Sequence, residues 1–274
     1  MADEAGKQGP LIARGRTAEV YAWGEHRVLK LILPGFPATI ADREAQIGEV
    51  VYRAGVGAPR VDGTLTVDGR AGIVYERVDG PSMGGVLVAR PWTLFRLAGQ
   101  LAELHAAVHR ASGAGLPSRR ERLQRAIAGA PRLSGDAKAA VLQALARLPD
   151  GDRLCHGDFH PFNVLMAARG PVLIDWLDAA SGPPAADVAR TILLLTGGAL
   201  PPGTGAARGL LLQAVRRLFC AIYLRRYLAL HPLPRPQPEA WRLPVAAARL
   251  SEHIPEEERA LAALVDRALK RRPS

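Results

Sequence analysis

The sequence predicts an α+β fold of two lobes: a small N-terminal lobe with an antiparallel sheet and one helix, and a larger, mostly helical C-terminal lobe. Short apolar or alternating runs separated by turn residues dominate the first third of the chain, which is typical of strands. After Asp79, apolar residues recur instead at the helical spacings of three and four. We therefore expect lobes at residues 1–79 and 80–274.

The predicted N-terminal lobe has strands on both sides of a single helix. Its strands are expected at 11–13, 18–23, 26–33, 61–67 and 71–78. Gly24-Glu25 is a gap of hairpin size, and Asp68-Gly69 has residue types that suit the positive φ angles of a tight turn. Apolar residues at helical spacing predict a helix over 40–54, which ends at Gly55.

The C-terminal lobe is predicted from amphipathic helical patterns. One apolar stripe is formed by Leu94, Leu97, Leu101, Leu104 and Val108. A second helix is expected over 136–148. A long helix over 208–230 should turn one stripe toward the core, formed by Leu211, Val215, Leu218 and Ile222. A last helix begins at Pro255, with glutamates in its first turn and basic residues at its end. The Pro-rich stretch 231–238 is expected to link these last two helices.

Composition favours a soluble protein of a reducing compartment. The chain has 274 residues, enough to bury a core unaided, and its cysteines are Cys155 and Cys220. Two cysteines so far apart do not form a disulfide framework or a zinc ribbon. The acidic start of the sequence lacks the basic region and apolar core of a secretory signal, and no apolar run approaches the roughly 20 residues that cross a bilayer. We therefore expect a cytoplasmic protein.

The formal net charge of +10 raises the question of anionic partners. Almost all of the positive charge is arginine, scattered along the chain, and aromatic residues make up 5% of the sequence. No basic stripe interleaved with aromatic residues is visible. We therefore expect neither a nucleic-acid nor a membrane partner, and the sequence carries no signal for an oligomeric state.

Three polar residues stand next to apolar runs in the segment 153–178. Asp158 and Asn163 lie five residues apart, and Asp175 ends a second apolar run twelve residues later. A short hairpin would bring all three together. Phosphoryl transfer requires such a set, because one carboxylate orients the attacking hydroxyl and further oxygen ligands bind the magnesium ion that bridges the phosphates. An ordinary turn capped by Asp158 and Asn163 is the structural alternative.

These motifs resemble those of the aminoglycoside phosphotransferase family, which is related to the protein kinases. The resemblance rests on His156-Gly-Asp158 with Asn163 and on Ile174-Asp175-Trp176, and it extends in order over residues 11–195. It implies a protein-kinase-like two-lobed fold, with Asp158 as the catalytic base or hydroxyl-positioning group. It also implies Asn163 and Asp175 as magnesium ligands. His156 and His160 are as easily explained by packing or hydrogen bonding within the loop.

The N-terminal third supplies candidate residues for binding ATP. Lys30 lies in an apolar strand, where its ammonium requires a partner, although lysines also reach solvent from many strands. The resemblance implies that Lys30 contacts the α- and β-phosphates and is held by Glu44, with Glu49 as a second candidate. It also places a nucleotide-covering loop at Gly15, Arg16 and Thr17, although the loop has one glycine and could be an ordinary hairpin.

The segment from Tyr75 to Gly80 resembles the hinge that binds adenine in such enzymes. Backbone groups from Glu76 to Val78 would pair with the adenine edge. Asp187 resembles the family's aspartate that supports the catalytic loop, and we expect a structural role for it.

The resemblance implies an ATP- and Mg²⁺-dependent transfer of phosphate to a hydroxyl of a small molecule. An inactive nucleotide-binding module is one alternative, and a hydrolase with a transition metal bound by His156, Asp158, His160 and Asp175 is another. Antibiotic-modifying members would be expected to surround a polycationic acceptor with carboxylates. Residues 190–274 carry more Arg and Lys than Asp and Glu, so a neutral or anionic acceptor is favoured over an aminoglycoside. Glu252 and the glutamates at 256–258 could still form a local acidic patch.

Overall fold

The structure is a computed structural model that describes residues 8–197, 204–233 and 238–270. Backbone packing divides the chain into two compact units. The first comprises Met1–Gly85 and Phe162–Asp178, and the second comprises Val86–Pro161 and Ala179–Ser274. The first unit is therefore discontinuous in sequence, and the lobe boundary expected near residue 80 stays a prediction.

The first unit is built on a five-stranded antiparallel sheet with the strand order β1-β2-β3-β5-β4. The strands are β1 Gln8–Arg14, β2 Ala18–Trp23, β3 Arg27–Ile32, β4 Val61–Val67 and β5 Arg70–Glu76. One helix, α1 (Thr39–Arg53), packs against β4 and β5. The predicted sheet with a single helix is confirmed, although the first strand is longer and the fifth is shorter than the sequence predicts.

Alternating side chains divide the sheet into two faces, as the two-residue period of a strand requires. Leu29 and Leu31 of β3 pack with Val74 on one face. Ile32 and Ile73 pack on the other face with alanines of α1. Lys30 has the same parity as Ile32, so its side chain lies on the face that α1 covers.

Two tight connections shape the rest of the first unit. Asp68 and Gly69 have φ angles of 49° and 76°, which is the positive-φ turn that the sequence predicts. A second hairpin is formed by β7 (Val164–Ala167) and β8 (Gly170–Leu173). Gly80 packs directly on this hairpin, because a Cβ there would lie 2.5 Å from the carbonyl oxygen of Met166.

The second unit is mostly helical. Its helices are α2 (Met83–Ala89, which begins in the first unit), α3 (Leu94–Val108), α4 (Arg119–Gly129), α5 (Gly135–Ala146), α6 (Pro184–Gly197), α7 (Ala206–Leu230), α8 (Pro238–Arg249) and α9 (Pro255–Lys270). Two short strands, β6 (Arg153–Cys155) and β9 (Ala180–Gly182), pair with each other. Helix α3 packs along α7, and α6 packs against α8. Within the described ranges, no helix combines the length and the apolarity needed to cross a bilayer.

Two expectations for the helices are wrong. The stretch 231–238 does not simply link two helices, because α8 lies between α7 and α9; residues 234–237 lie outside the described residues. The predicted inward stripe of α7 is exposed instead, with Leu211, Val215 and Leu218 at 64%, 36% and 45% of their surface. The helix buries a different stripe, which contains Phe219, Tyr223 and Tyr227. The sequence of α7 contains both apolar stripes, and the aromatic stripe is the one that packs against α3.

Replacing leucines of these two helices tests this assignment. Leu101 of α3 is fully buried, so Leu101→Ala should lower the free energy of unfolding by about 3 kcal/mol through lost burial and the cavity left behind. The matched change Leu211→Ala on the exposed stripe of α7 should cost less than about 0.5 kcal/mol. Urea unfolding followed by circular dichroism measures both values. Equal losses would show that the exposed stripe is buried in solution.

Candidate active site

In the first unit, the ammonium of Lys30 is held by two carboxylates. Nζ of Lys30 lies 2.7 Å from Oε1 of Glu44 on α1 and 2.9 Å from Oδ1 of Asp175 after β8. The hydroxyl of Tyr75 on β5 donates to the same Oε1 of Glu44 at 3.0 Å. The second candidate partner, Glu49, pairs with Arg53 instead. Residues far apart in sequence therefore meet at one lysine.

Burial and pairing together set the charges of this cluster. Burial opposes the charge on Lys30, but the carboxylates of Glu44 and Asp175 outweigh it and raise the pKa of Lys30 above its ordinary value. Burial raises the pKa of Glu44, while the charge of Lys30 opposes that change. Burial beside Glu44 raises the pKa of Tyr75 well above its usual value, so its hydroxyl stays protonated and can donate. The lysine is therefore positively charged at neutral pH.

The β7–β8 hairpin places Asn163 and Asp175 at the same end. Asn163 directly precedes β7 and Asp175 follows β8, and the Ile174 N–H donates to the carbonyl oxygen of Asn163 at 3.0 Å. Asp175 has a φ angle of 63°, which is uncommon for a residue other than glycine. The indole N–H of Trp176 donates to the Leu173 carbonyl at 2.9 Å and so fixes this turn.

The donor atoms at this end of the hairpin fit a magnesium ion. An amide oxygen and a carboxylate are the hard oxygen ligands that Mg²⁺ prefers. Lys30 contacts Oδ1 of Asp175, and within the described residues no partner is found for Oδ2. The Asp175 side chain is 47% exposed, so this oxygen is accessible to a ligand. Asn163 and Asp175 could therefore hold the metal that the family resemblance implies.

The other predicted nucleotide-binding residues lie at or just beyond the ends of strands in the five-stranded sheet. Gly15, Arg16 and Thr17 form the tight turn between β1 and β2, where the Gly15 N–H donates to the carbonyl of Ala18 at 2.8 Å. A contact of this turn with phosphates stays a prediction.

Of the hinge candidates, Glu76 is the last residue of β5, and Val78 lies two residues beyond that strand. The Glu76 carboxylate pairs with Arg169, and its N–H donates to the Arg60 carbonyl at 2.9 Å. Within the described residues, no partner is found for the Val78 N–H. Of the two backbone amides, that of Val78 is therefore the better candidate for an adenine contact.

In the second unit, Asp158 follows β6 on a polar loop. Oδ1 lies 3.5 Å from Nη2 of Arg190, and Oδ2 lies 3.4 Å from Nε2 of His160. Burial would raise the pKa of Asp158, but the hydrogen bond of His160 and the charge of Arg190 outweigh burial and hold this pKa well below its usual range. Asp158 is therefore ionised at neutral pH.

A buried carboxylate fixes the backbone of the Asp158 loop. The N–H groups of His156 and Gly157 donate to the two carboxylate oxygens of Asp187 at 2.7 and 2.8 Å. The His156 Nδ1 in turn accepts from the Asp158 N–H at 3.2 Å, so His156 makes a hydrogen bond within the loop. The supporting role expected for Asp187 matches this geometry.

Asp187 is also contacted by two buried histidines, His105 of α3 and His109 directly after it. Nε2 of His105 and of His109 lie 3.1 and 3.3 Å from Oδ2 of Asp187. These three side chains are close enough to hold a metal ion. However, a carboxylate only accepts, so each Nε2 donates to Asp187, and each Nδ1 accepts from a tyrosine hydroxyl of α7 at 2.6 Å. The hydrogen-bond network is therefore complete without a cation.

Sequence reasoning missed most of this network. It identified neither Tyr75 as a partner of Glu44 nor Arg190 as a partner of Asp158, and it missed the histidine–tyrosine pairs that join the α3 region to α7. A signal was present, because His105 and His109 lie four residues apart on the apolar stripe of one helix, and Tyr223 and Tyr227 have the same spacing on another. Polar rings on a buried stripe indicate a partner on a neighbouring helix, but the spacing does not say which helix.

The His105 network predicts a specific pH dependence of stability. Burial lowers the pKa of His105 from 6.5 to about 3, so the unfolded chain takes up a proton here between pH 6.5 and 3 and the folded chain does not. Stability should therefore fall on acidification from pH 6.5, by about 1.4 kcal/mol per pH unit from this residue. His105→Asn should remove that part of the slope, measured by urea unfolding between pH 4.5 and 6.5.

The control for this experiment is His26→Asn at an exposed histidine, which should leave the slope unchanged. The window ends at pH 4.5 because Asp187, whose pKa is held well below its usual value despite burial, loses its contribution only at lower pH. An unchanged slope in His105→Asn would show that His105 is already charged in the folded protein.

Comparisons with known proteins identify the family and the fold of the chain. The model of the phosphotransferase enzyme family, APH, matches residues 9–218, and no curated protein matches the chain. A solved structure of a thermostable mutant of aminoglycoside phosphotransferase APH(4)-Ia, in ternary complex with ADP and hygromycin B, is similar at 18% identity and a TM-score of 0.65. The match covers 95% of this chain and 92% of that one.

Two further solved structures are similar to the chain. Aminoglycoside-3'-phosphotransferase of type VIII is 20% identical with a TM-score of 0.61, over 91% of this chain and 94% of its own. Choline kinase from Cryptosporidium parvum Iowa II is 15% identical with a TM-score of 0.57, over 98% and 89%. At these identities the structures show the fold, and the predicted protein-kinase-like α+β fold is confirmed. The family match covers well over half of the sequence, so the chain belongs to the phosphotransferase enzyme family.

Proposed function

We propose that this protein transfers the γ-phosphate of ATP to a hydroxyl group of a small molecule, in a reaction that requires Mg²⁺. The observation that carries the proposal is the position of the Lys30 ammonium between Glu44 and Asp175. A buried lysine fixed by one carboxylate, beside a second carboxylate with an accessible oxygen, is the arrangement that phosphate groups and their metal require. The ADP complex of a similar structure supports a nucleotide as the donor.

On the nucleotide side, each residue has a distinct role in this proposal. Lys30 binds the α- and β-phosphates, and Glu44 holds Lys30 in place with the help of Tyr75. Asn163 and Asp175 hold Mg²⁺, which would neutralise the charge that develops on the phosphates. The backbone at Glu76 to Val78 binds adenine, and the turn at Gly15 to Thr17 covers the phosphates.

On the acceptor side, Asp158 receives a hydrogen bond from the hydroxyl that is phosphorylated. The hydroxyl oxygen forms a bond to the γ-phosphorus as the bond from that phosphorus to the β–γ bridging oxygen breaks. The hydroxyl proton passes to Asp158, and ADP leaves. A carboxylate with a low pKa is a weak base, so Asp158 contributes mainly by holding the hydroxyl in line with the phosphate.

The pairing of carboxylates in the second unit favours a neutral or anionic acceptor. Glu252 is contacted by Arg190 at 2.6 Å and by Arg249 at 2.9 Å. Glu257 also pairs with Arg249, and Glu258 pairs with Arg132 at 2.9 Å. These partners neutralise most of the local acidic patch that the sequence offers. A polycationic acceptor would have to compete with the buried Arg190 and Arg249 for Glu252 and Glu257.

A cavity in the second unit does not distinguish between acceptor classes. It has a volume of about 500 Å³ and lies among α6, α7, α8 and α9. Its lining carries charges of both signs, with Arg217 and Arg267 as well as Glu239 and Glu257. Asp158 is not among its lining residues. The preference for a neutral or anionic acceptor therefore rests on the paired glutamates.

An aminoglycoside kinase is the second candidate, since two of the similar structures are aminoglycoside phosphotransferases. The paired glutamates weigh against it. An inactive nucleotide-binding module is weakened by the retention of Lys30, Asp158, Asn163 and Asp175 together. A hydrolase with a transition metal does not account for the Lys30–Glu44 pair.

A phosphorylation screen tests the proposal. The protein is incubated with ATP and Mg²⁺ and with pools of hydroxy acids, neutral sugars, nucleosides, amino alcohols and aminoglycosides, and mass spectrometry detects a product that has gained a phosphate. We expect products among neutral or anionic compounds, and none without Mg²⁺. Efficient phosphorylation of aminoglycosides alone would overturn the acceptor class, and no product from any pool would overturn the proposed activity.

Two substitutions separate the proposed roles of the carboxylates. Asp158→Asn should lower kcat by about 10²- to 10⁴-fold, because the acceptor hydroxyl loses its base and its orientation, while the affinity for Mg-ATP stays within a small factor. Asp175→Asn should lower kcat and also weaken Mg-ATP binding by at least about tenfold, because a metal ligand is lost. Steady-state kinetics and calorimetry measure both quantities. The exposed Asp266→Asn on α9 is the control, and equal, mild effects of the two site substitutions would contradict the roles.

A further inference from the structure

A row of charged side chains with alternating signs runs from Asp158 into the C-terminal helices of the second unit. Nη2 of Arg190 on α6 lies 3.5 Å from Oδ1 of Asp158 and 2.6 Å from Oε1 of Glu252. The other carboxylate oxygen of Glu252 lies 2.9 Å from Nη1 of Arg249, the last residue of α8. Arg249 in turn pairs with both carboxylate oxygens of Glu257 in the first turn of α9. The candidate catalytic carboxylate is therefore the end of a row of five charges.

One nitrogen of Arg190 is shared between two carboxylates. The Arg190 side chain is 6% exposed, so bulk water cannot replace a lost carboxylate partner. Ion pairs weaken with distance, and the contact of Nη2 with Glu252 is the shorter one. Glu252 is therefore the stronger partner, and it determines how closely Arg190 approaches Asp158.

Loss of the charge on Glu252 would affect its two arginines differently. Arg249 would keep Glu257, which pairs with it through both oxygens, so its charge would stay compensated. Arg190 would lose its shorter ion pair, and Asp158 is the carboxylate already next to its Nη2. Because a buried guanidinium without a counter-ion is costly, Arg190 would move onto Asp158.

A closer Arg190 would interfere with the acceptor. Oδ2 of Asp158 already faces Nε2 of His160 at 3.4 Å, and Oδ1 faces Arg190 at 3.5 Å. Both contacts are longer than the about 2.9 Å of a close charge-assisted hydrogen bond. If Arg190 shortened its contact to that value, it would compete with the acceptor hydroxyl for Oδ1.

We propose that Glu252 is a positioning residue for the reaction, because it holds Arg190 back from Asp158 and so keeps that carboxylate available to the acceptor hydroxyl. Arg190 then supplies positive charge near the carboxylate without pairing closely with it. The inference rests on the proposed function, in which Asp158 orients the hydroxyl. Glu252 acts through Arg190 and not on the acceptor itself.

A purely structural role of these ion pairs is the alternative. They join α6, α8 and α9, so they would also help to fix these helices. In that case, the loss caused by a change at Glu252 would not depend on whether Arg190 is charged. The proposal requires such a dependence, because the interfering group is Arg190 itself.

A double-mutant cycle tests the proposal with the full-length protein and an acceptor from the phosphorylation screen. Glu252→Gln should lower kcat/KM for the acceptor about 10- to 100-fold, mainly through a higher KM, because the hydroxyl has to displace a charge-assisted hydrogen bond. In an Arg190→Gln background, the same change should cost less than about threefold, because the competing charge is gone. Equal losses in the two backgrounds would overturn the proposal.

Two further variants separate charge from packing. Glu252→Asp keeps the negative charge and should lose less activity than Glu252→Gln. Glu258→Gln is the matched control, because it removes an ion pair with Arg132 in the same turn of α9, and it should leave kcat/KM within about twofold. A loss in Glu252→Asp or in the control as large as that in Glu252→Gln would contradict the role of Glu252.

A crystal structure of Glu252→Gln supplies a result that does not depend on activity, and it decides the case if Arg190→Gln is unstable. The distance from Nη2 of Arg190 to Oδ1 of Asp158 should fall from 3.5 Å to about 2.9 Å. An unchanged distance would overturn the role of Glu252 alone and leave the proposed function standing. Absence of any phosphorylated product from the unmodified protein would instead overturn the proposed function, and the role of Glu252 with it.

Discussion

A lysine in a buried strand has to be neutralised, and the first unit is organised around that requirement. Burying an ammonium without a partner would cost several kcal/mol, so Lys30 is tolerated in β3 only because Glu44 and Asp175 reach it. These carboxylates come from α1 and from the end of the β7–β8 hairpin. The charge on Lys30 therefore connects β3, α1 and the end of the β7–β8 hairpin. Removing Lys30, Glu44 or Asp175 would leave an uncompensated charge on the remaining residues.

The second unit contains a buried negative charge, and this charge is also stabilised by its partners. Asp187 is a fully buried carboxylate, and it is stabilised by two backbone N–H groups and two histidines. Because the backbone donors belong to His156 and Gly157, the carboxylate also determines the path of the chain into Asp158. Asp187 would act on the proposed reaction without contacting a substrate. In both units, a buried charge thus positions the residues to which chemistry is assigned.

Local patterns in the sequence predicted the parts of the structure that depend on local physics. Alternating side chains located the five strands, and Asp68-Gly69 located a turn with positive φ angles. The exposed stripe of α7 was predicted to be buried, because that helix has two apolar stripes and the choice between them depends on α3. The network of His105 and Tyr223 was missed for the same reason, since contacts across 118 residues depend on which helices pack together.

The same distinction between local patterns and long-range contacts applies to the candidate site. The types and order of Lys30, Glu44, Asp158, Asn163 and Asp175 were visible as a motif, and the motif carried the resemblance to a family. The ion pairing in the region that we propose to bind the acceptor was not visible. Glu252 and Glu257 are acidic in the sequence, but in the folded chain they are counter-ions of Arg190 and Arg249. Composition alone therefore overstates how much negative charge is available to an acceptor.

The surroundings of Asp158 bear on how the proposed reaction would proceed. Arg190 lies closer to Glu252, at 2.6 Å, than to Asp158, at 3.5 Å. The hydrogen bond of His160 and the charge of Arg190 together keep Asp158 ionised, while the tightest ion pair of Arg190 is made with Glu252. A carboxylate of this kind cannot remove a proton from an alcohol in advance, but it can accept a hydrogen bond from one. In a loose transition state the bond to the leaving group is largely broken before the nucleophile needs to lose its proton. Orientation of the hydroxyl is then the larger contribution, and a weakly basic, electrostatically stabilised Asp158 is suited to provide it.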